Sequence, residues 1–338
     1  MELVKNIKRN IILLVFVTTS VLIIILKDNF QEILTNLLLM KKTFILLAII
    51  MFALHIILKS YVVYKCVDNK NKLSLKESIK HNLITQFFNG ITPFSTGGQP
   101  MEIYMLCNHN ISLAEATSIT IQNFIFYQIA LVIYGLIAII CNGIFNFFPQ
   151  AQTLSNLVFF GFSINIFVMI ALFIVITCKR LTQKIINTII IILYKLKLIK
   201  DQKTTQEKWQ QKLTNFHTST KKLNKKRGLF VLGILANLLS LTFFYVIPLF
   251  IIYGLGDLES LNILNTIIAS AYIYIIGSFV PIPGASGGIE YGFIKFFGNF
   301  LKPVVLNTML LVWRSITYYI PIILGAILFM FEKKGEVK

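Results

Sequence analysis

Apolar runs long enough to cross a bilayer recur along this chain, and that feature restricts its fold more than any other. About 20 apolar residues in a helix rising 1.5 Å per residue span the roughly 30 Å of hydrocarbon. Such runs occupy about 10–27, 43–64, 119–146, 154–178, 229–254 and 304–331. In lipid every backbone N–H must find a partner within the protein, so each run is expected to be a helix. Composition agrees: 56% of residues are hydrophobic and 14% charged, against about 45–50% and 25% in soluble domains. The first run follows Lys5, Lys8 and Arg9 and has no small-x-small cleavage site, so it is expected to remain as a spanning helix.

Charge placement sets the orientation. The 32 Lys and Arg exceed the 14 Asp and Glu by 18, a balance that would suit nucleic acid on a soluble surface. Here, however, no basic residue lies between Lys80 and Lys179, while the segment 179–227 carries fourteen against Asp201 and Glu207, +12 of the +18. Nucleic acid is therefore excluded as a partner, and the basic blocks are read as cytoplasmic loops. These are the N-terminal tail, the loop with Lys59, Lys65, Lys70, Lys72, Lys76 and Lys80, the segment 179–227, and the tail with Lys333, Lys334 and Lys338. Both termini are thus expected in the cytoplasm of a multi-pass cell-membrane protein. Asp257 and Glu259 fall outside, and so must the segment Lys27 to Thr43 despite its three lysines. Leu181 to Lys200 mixes Ile and Leu with Lys184, Lys195 and Lys197, a pattern for a helix lying on the inner leaflet. Positive-inside topology alone explains it, and lipid recruitment is the alternative.

Two apolar regions, 79–107 and 263–302, are interrupted by Pro and Gly, which do not continue a helix. The first reads Pro93-Phe94-Ser95-Thr96-Gly97-Gly98-Gln99-Pro100, the second Pro281-Ile282-Pro283-Gly284-Ala285-Ser286-Gly287-Gly288. From Pro93 and Pro283 the two match in register, with a hydroxyl residue before each Gly pair and Glu102 or Glu290 shortly after. Parity makes 79–107 a hairpin that dips in from the cytoplasm. The region 263–302 either dips in from outside or makes two thin crossings. The expected fold is therefore an all-α integral membrane protein of about six spanning helices plus two broken, re-entrant hairpins forming an inverted repeat. A single membrane domain, 1–338, would comprise a first half 1–178, the basic segment 179–227 and a second half 228–338. Interrupted segments at matching places in two halves point to a substrate site, and free N–H groups at the helix starts would favour an anion.

A central charge costs about 2.5–3.5 kcal/mol on insertion scales, so Arg314, deep in the last run, demands a partner, and Glu290 is the candidate. Gln122, Asn123, Tyr127 and Gln128 are the expected neighbours of Glu102. Two readings of the Arg314–Glu290 pair stand open: a permanent tie that fixes helix positions, or an Arg314 that meets an anionic head group with Glu290 and Glu102 orienting it. The head-group path would comprise Thr96, Gly97, Gly98, Gln99, Glu102, Ser286, Gly287, Gly288, Glu290 and Arg314, with helix breaks at Pro93, Pro100, Pro281 and Pro283. No catalytic constellation is found: His55, His81, His109 and His217 stand apart, and HExxH, GxSxG and P-loop patterns are missing. Cys66, Cys107, Cys141 and Cys178 lack CxxC spacing and are expected to be buried thiols. No metal or cofactor is called for.

The two Gly-Gly motifs and the deep arginine behind them resemble the lysylphosphatidylglycerol synthase transmembrane-domain family along nearly the whole chain. That resemblance implies a flippase-like lipid translocase that moves aminoacylated phospholipid across the bacterial membrane and protects against cationic peptides, an antibiotic-resistance role. Its partners would be anionic or lysyl-modified phospholipids, with a homo-oligomer possible. Full-length members add a soluble domain that transfers lysine from tRNA to phosphatidylglycerol. With seven residues after its last helix, this chain is expected to lack that domain, which makes a lysyltransferase, or a membrane subunit of one, the alternative.

Overall fold

A computed structural model describes residues 30–67, 73–149, 152–199 and 201–332. The expected span 10–27 and both basic tails lie outside the described residues. In chain order the helices are α1 (Phe30–Leu39), α2 (Lys42–Cys66), α3 (Leu75–Ile91), α4 (Gly98–Asn108), α5 (Leu113–Phe145), α6 (Gln152–Thr177) and α7 (Lys179–Lys195). They continue as α8 (Gln202–Asn224), α9 (Arg227–Tyr245), α10 (Ile247–Gly254), α11 (Ile263–Gly277), α12 (Gly288–Phe297), α13 (Pro303–Arg314) and α14 (Ile320–Met330). No strand occurs among the described residues, and the protein is all-α. Five described segments are long and apolar enough to cross a membrane: Lys42–Cys66, Leu113–Phe145, Leu154–Thr177, Gly228–Gly254 and Pro303–Met330.

Local chemistry sets the boundaries. Ser74 caps α3 with a reciprocal Glu77, and Ser112 caps α5 through the Glu115 N–H, each satisfying orphan donors of a first turn. The run expected as one helix over 229–254 bends after Tyr245, because Pro248 offers no N–H to the preceding turn. The last run likewise divides at Arg314: residues Ser315–Tyr319 form a π-turn before α14. Pro321 removes the N–H that would answer the Thr317 carbonyl. Of the four cysteines only Cys66 is buried and Cys178 is exposed, since Cys178 falls at the junction of α6 and α7 rather than inside a helix.

In lipid, apolar surface alone does not drive helix association, so small residues and polar pairs carry it. Helix α2 packs on α9 and α10, where His55 Nδ1 lies 2.8 Å from Ser240 Oγ. Helix α3 runs along α14 through Gly90 and Gly325, where an added Cβ would meet Ile322 and the Leu83 carbonyl respectively. The basic segment folds as a helical hairpin. Its arm α8 returns to α5, joined by Ser118–Thr220 at 2.8 Å and a Gln122 Nε2 to Asn224 Oδ1 bond of 2.9 Å. Its arm α7 leaves Leu181, Ile185, Ile189 and Ile192 exposed along one face.

Candidate functional site at the meeting of two hairpins

Both interrupted regions are hairpins whose backbones repeat through the third turn residue and then diverge: Thr96 and Gly97 are helical, with ψ of −9° and −19°, whereas Ser286 is extended at ψ 143° and Gly287 has φ 87°. Each turn is a short 3₁₀ segment, Pro93–Ser95 and Pro283–Ala285. In both, the second and third residues have positive φ: Phe94 and Ser95 at 54° and 52°, Gly284 and Ala285 at 64° and 51°. In both, the next helix begins at the second glycine of the pair, Gly98 or Gly288. The two turns pack against each other, and the second also touches α3. The surroundings differ: Pro93, Phe94 and Thr96 are exposed, whereas Pro283 through Ser286 are buried.

Arg314 and Glu290 pair as expected. Arg314 is 3% exposed and Glu290 6%. Arg314 Nε donates to Glu290 Oε1 at 2.7 Å, and Nη2 makes an ion-pair contact of 2.6 Å with the same oxygen. The other carboxylate oxygen accepts the Gly287 N–H at 2.6 Å. The guanidinium also lies over Tyr318, 4.7 Å from the ring centre, and Trp313, at 5.6 Å. Such a buried ion pair keeps its charges only because these contacts replace water.

Tyr318, in the π-turn, holds the site together and was not singled out from sequence. Its hydroxyl donates to the Gly90 carbonyl at 3.1 Å, which ties the first hairpin's ascending arm to the last helix. The same hydroxyl occupies the space a Cβ on Gly284 would need, so glycine there lets the second turn come close. A π-turn next to a deep charge is a frequent mark of a functional position, but periodicity does not reveal one.

Three N–H groups at the helix starts are answered by the chain itself. Gly97 N–H donates to Thr92 Oγ1 and Gly98 N–H to Asn89 Oδ1, each at 2.8 Å, and Gly287 N–H is taken by Glu290. Asn89 and Thr92, which answer two of these donors, are side chains that the motif reading passed over. Thr96 Oγ1 donates back to the Pro93 carbonyl. Gln99 is half-buried, Pro100 and Pro281 are exposed, and Ser286 Oγ is buried without a hydrogen bond.

Glu102 is buried, and only part of its expected surroundings is found. Asn123 lies beside it, and Lys59 interacts with it electrostatically. Gln122 and Gln128 instead bond Asn224 and Asn165. Lys59 belongs to α2, not to the following loop, and its Nζ sits 5.0 Å from the Tyr127 ring centre. Its place inside an apolar run was the available signal, hidden by counting it with the loop lysines. His81 and His109, far apart in sequence, come together with ring centres 5.0 Å apart, because an antiparallel hairpin returns its end to its start. No group of three or more His, Cys, Asp or Glu able to hold a metal occurs among the described residues.

Comparison with known proteins fits this geometry. The family described as lysylphosphatidylglycerol synthase TM region matches residues 11–325. The chain belongs to that family. A UPF0104 membrane protein of Archaeoglobus fulgidus is 26% identical over 269 residues, 76% of each chain. No solved structure matches the chain. Family membership and the apolar helices together make this a multi-pass membrane protein of the lysylphosphatidylglycerol synthase TM-region family.

Proposed function

We propose that this protein is a phospholipid translocase of the cell membrane, flippase-like in action, with both termini in the cytoplasm. The observation that supports this best is the tip-to-tip packing of two hairpins whose turns begin with the same backbone, each backed by a buried carboxylate. Irregular backbone at membrane depth is tolerated where it is buried in protein or lines a polar cavity, and broken segments in matching halves are where transporters place their substrate. In this reading an anionic or aminoacylated head group passes beside the paired turns while its acyl chains stay in lipid. Thr96, Gln99, Glu102 and Ser286 would supply polar contacts and the glycines the close approach. The Arg314–Glu290 pair would keep the two turns in register.

The test is reconstitution into vesicles containing fluorescent-head-group phosphatidylglycerol, with quencher added outside. The wild-type protein should speed exchange between leaflets, and Arg314→Ala or Glu290→Ala should slow it in protein that still elutes as a folded species. Absence of exchange by the wild type refutes the translocase reading, and unchanged exchange in a folded variant refutes the site. Formation of lysylphosphatidylglycerol by the purified chain from lysyl-tRNA would favour the transferase instead.

A further inference from the structure

The helical hairpin of α7 and α8 takes no part in the site above, and the faces of α7 differ sharply. At about 100° of turn per residue, Leu181, Ile185, Ile189 and Ile192 share one stripe, and each is 43–50% exposed. Thr182, Ile186 and Ile190 form the row on one side of it. Thr182 and Ile190 are buried, and Ile186 joins a cluster with Ile125 of α5, Ile176 of α6, and Leu213 and Phe216 of α8. Lys184, Thr188 and Lys195 form the row on the other side, and all three are exposed. Gln183 and Asn187 lie opposite the stripe. The aliphatic stripe is therefore not the face that holds α7 to the rest of the protein.

The place of α7 narrows what can cover that stripe. Helix α6 is long and apolar enough to cross the membrane and ends at Thr177. Helix α7 begins two residues later, after Cys178 leaves helical geometry at ψ 73°. Thr182 Oγ1 lies 3.5 Å from the Val175 carbonyl, although seven residues of unbroken helix advance about 10 Å. The chain thus bends sharply where α6 ends, and the packing of Ile186 with Ile176 holds α7 near that end. An exposed apolar row edged by polar residues marks a membrane or protein contact. Protein interfaces are depleted in lysine, yet lysine edges this row. From 116 to 200 the chain has no acidic residue, while 179–197 carries Lys179, Arg180, Lys184, Lys195 and Lys197. A basic helix with one aliphatic face, starting where a crossing helix stops, matches an anionic lipid surface.

We propose that α7 lies in the lipid head-group layer at the end of α6, with Leu181, Ile185, Ile189 and Ile192 among the acyl chains and Lys184 and Lys195 gathering anionic phospholipid beside them. The basic segment is then a lipid-binding surface as well as a topology signal. This inference needs the membrane crossing of α6 but neither the translocase reading nor the hairpin site.

Local lipid contact tests it. A fluorophore is attached at Ile189→Cys in the full chain, with Cys107, Cys141 and Cys178 changed to Ser and the buried Cys66 kept, and the protein is reconstituted in phosphatidylcholine vesicles. Nitroxide-labelled phosphatidylglycerol, nitroxide-labelled phosphatidylcholine and aqueous iodide are compared as quenchers. Both lipids should quench and iodide should not. Phosphatidylglycerol should be the stronger by about fivefold or more, the worth of one lysine at an anionic surface. Lys184→Gln/Lys195→Gln should remove that difference, and Lys184→Arg/Lys195→Arg should keep it. Ile192→Cys supplies a second labelling position on the same stripe. Quenching by iodide overturns the proposal, and so does quenching by none of the three, which would show that protein covers the stripe. Equal quenching by the two lipids, or a difference that survives Lys184→Gln/Lys195→Gln, overturns it as well. Failure of leaflet exchange leaves this surface standing, and loss of the lipid difference leaves the translocase reading standing.

Discussion

Replacing Glu290 with Gln tests whether the charge pair behind the second hairpin holds the fold. The side chains are nearly isosteric, and Gln still offers an oxygen to the Gly287 N–H, so the cavity and the cap are preserved. What is lost is the negative charge facing Arg314, a residue 3% exposed whose Nε donates at 2.7 Å to the carboxylate. Removing one partner of a buried pair costs about 3–5 kcal/mol, because the other charge is left uncompensated. At 1.4 kcal/mol per decade that is about two to three and a half decades in the folding constant. The cation–π contacts to Tyr318 and Trp313 remain in the variant, which favours the lower end. Unfolding in mixed micelles of mild detergent and dodecyl sulfate reads the loss. Glu290→Gln/Arg314→Gln removes both charges and is expected to be more stable than Glu290→Gln alone, since replacing a whole buried pair is often neutral. A loss below about 1 kcal/mol in the single variant, or a double variant less stable than the single, would refute the view that this pair is a desolvated structural tie.

Other sites give sharper local tests. Gly284→Ala places a Cβ at φ 64° and against the Tyr318 hydroxyl; a loss of about 1–3 kcal/mol is expected in the same micelle assay, together with weaker protection of Gly90 from amide exchange. Gly325→Ala brings a Cβ against the Leu83 carbonyl of α3, which cannot swing aside as a side chain would, so α3 and α14 must separate at a cost of about 1–3 kcal/mol. At the start of α3, hydrogen bonds from the Ser74 N–H and hydroxyl hold the Glu77 carboxyl below its ordinary range. A depressed folded value gives stability that is complete above the unfolded value, about 4.3, and disappears as pH falls through the folded one. Amide exchange in the first turn of α3 should therefore accelerate on acidification below that value, and Ser74→Ala, costing about 1 kcal/mol, should weaken the pH dependence without removing it, because the residue 74 N–H still donates to the carboxylate.

The long helices were legible because a hydrocarbon slab imposes one length and one composition on anything that crosses it. The hairpins were legible because a cluster of Pro and Gly ends a helix where a single one within a span need not. Arg314 and Glu290 were legible because a lone deep charge needs a mate. Breaks inside the spans were harder to read: Pro248 and Pro321 were present, but whether a proline bends a helix or widens one turn into a π-turn depends on neighbouring helices. Tyr318 was out of reach from sequence, since its role comes from touching Gly90 on α3 and Gly284 in the second turn, positions far from it in the chain.

The two hairpins differ at the glycine before the helix, αR at Gly97 and φ 87° at Gly287, and at the residue three beyond it. In the shared register Gly97 answers to Gly287 and Pro100 to Glu290. Counted from the glycine before each helix, the third residue is the one whose side chain can reach back to that glycine's N–H. Glu290 does so and thereby also meets Arg314. Pro100 cannot, so Thr92 and Asn89 close the first hairpin's N–H groups from the other arm, and the acid stands two residues later. That offset turns Glu102 away from the cap and toward α2 and α5, where Lys59 and Asn123 lie. The second hairpin has thus committed its carboxylate to architecture, while the first leaves Glu102 facing Lys59 and Asn123. Moving the acid should move the role: Pro100→Glu/Glu102→Gln supplies a capping carboxylate to the first hairpin and removes the one facing Lys59. Its expected outcome is a hairpin at least as stable as the wild type, with Gly97 N–H more strongly protected from exchange. If the variant instead unfolds more easily by about 3–5 kcal/mol, the cost of a broken buried pair, Glu102 is structural in the way Glu290 is and the division of labour is wrong.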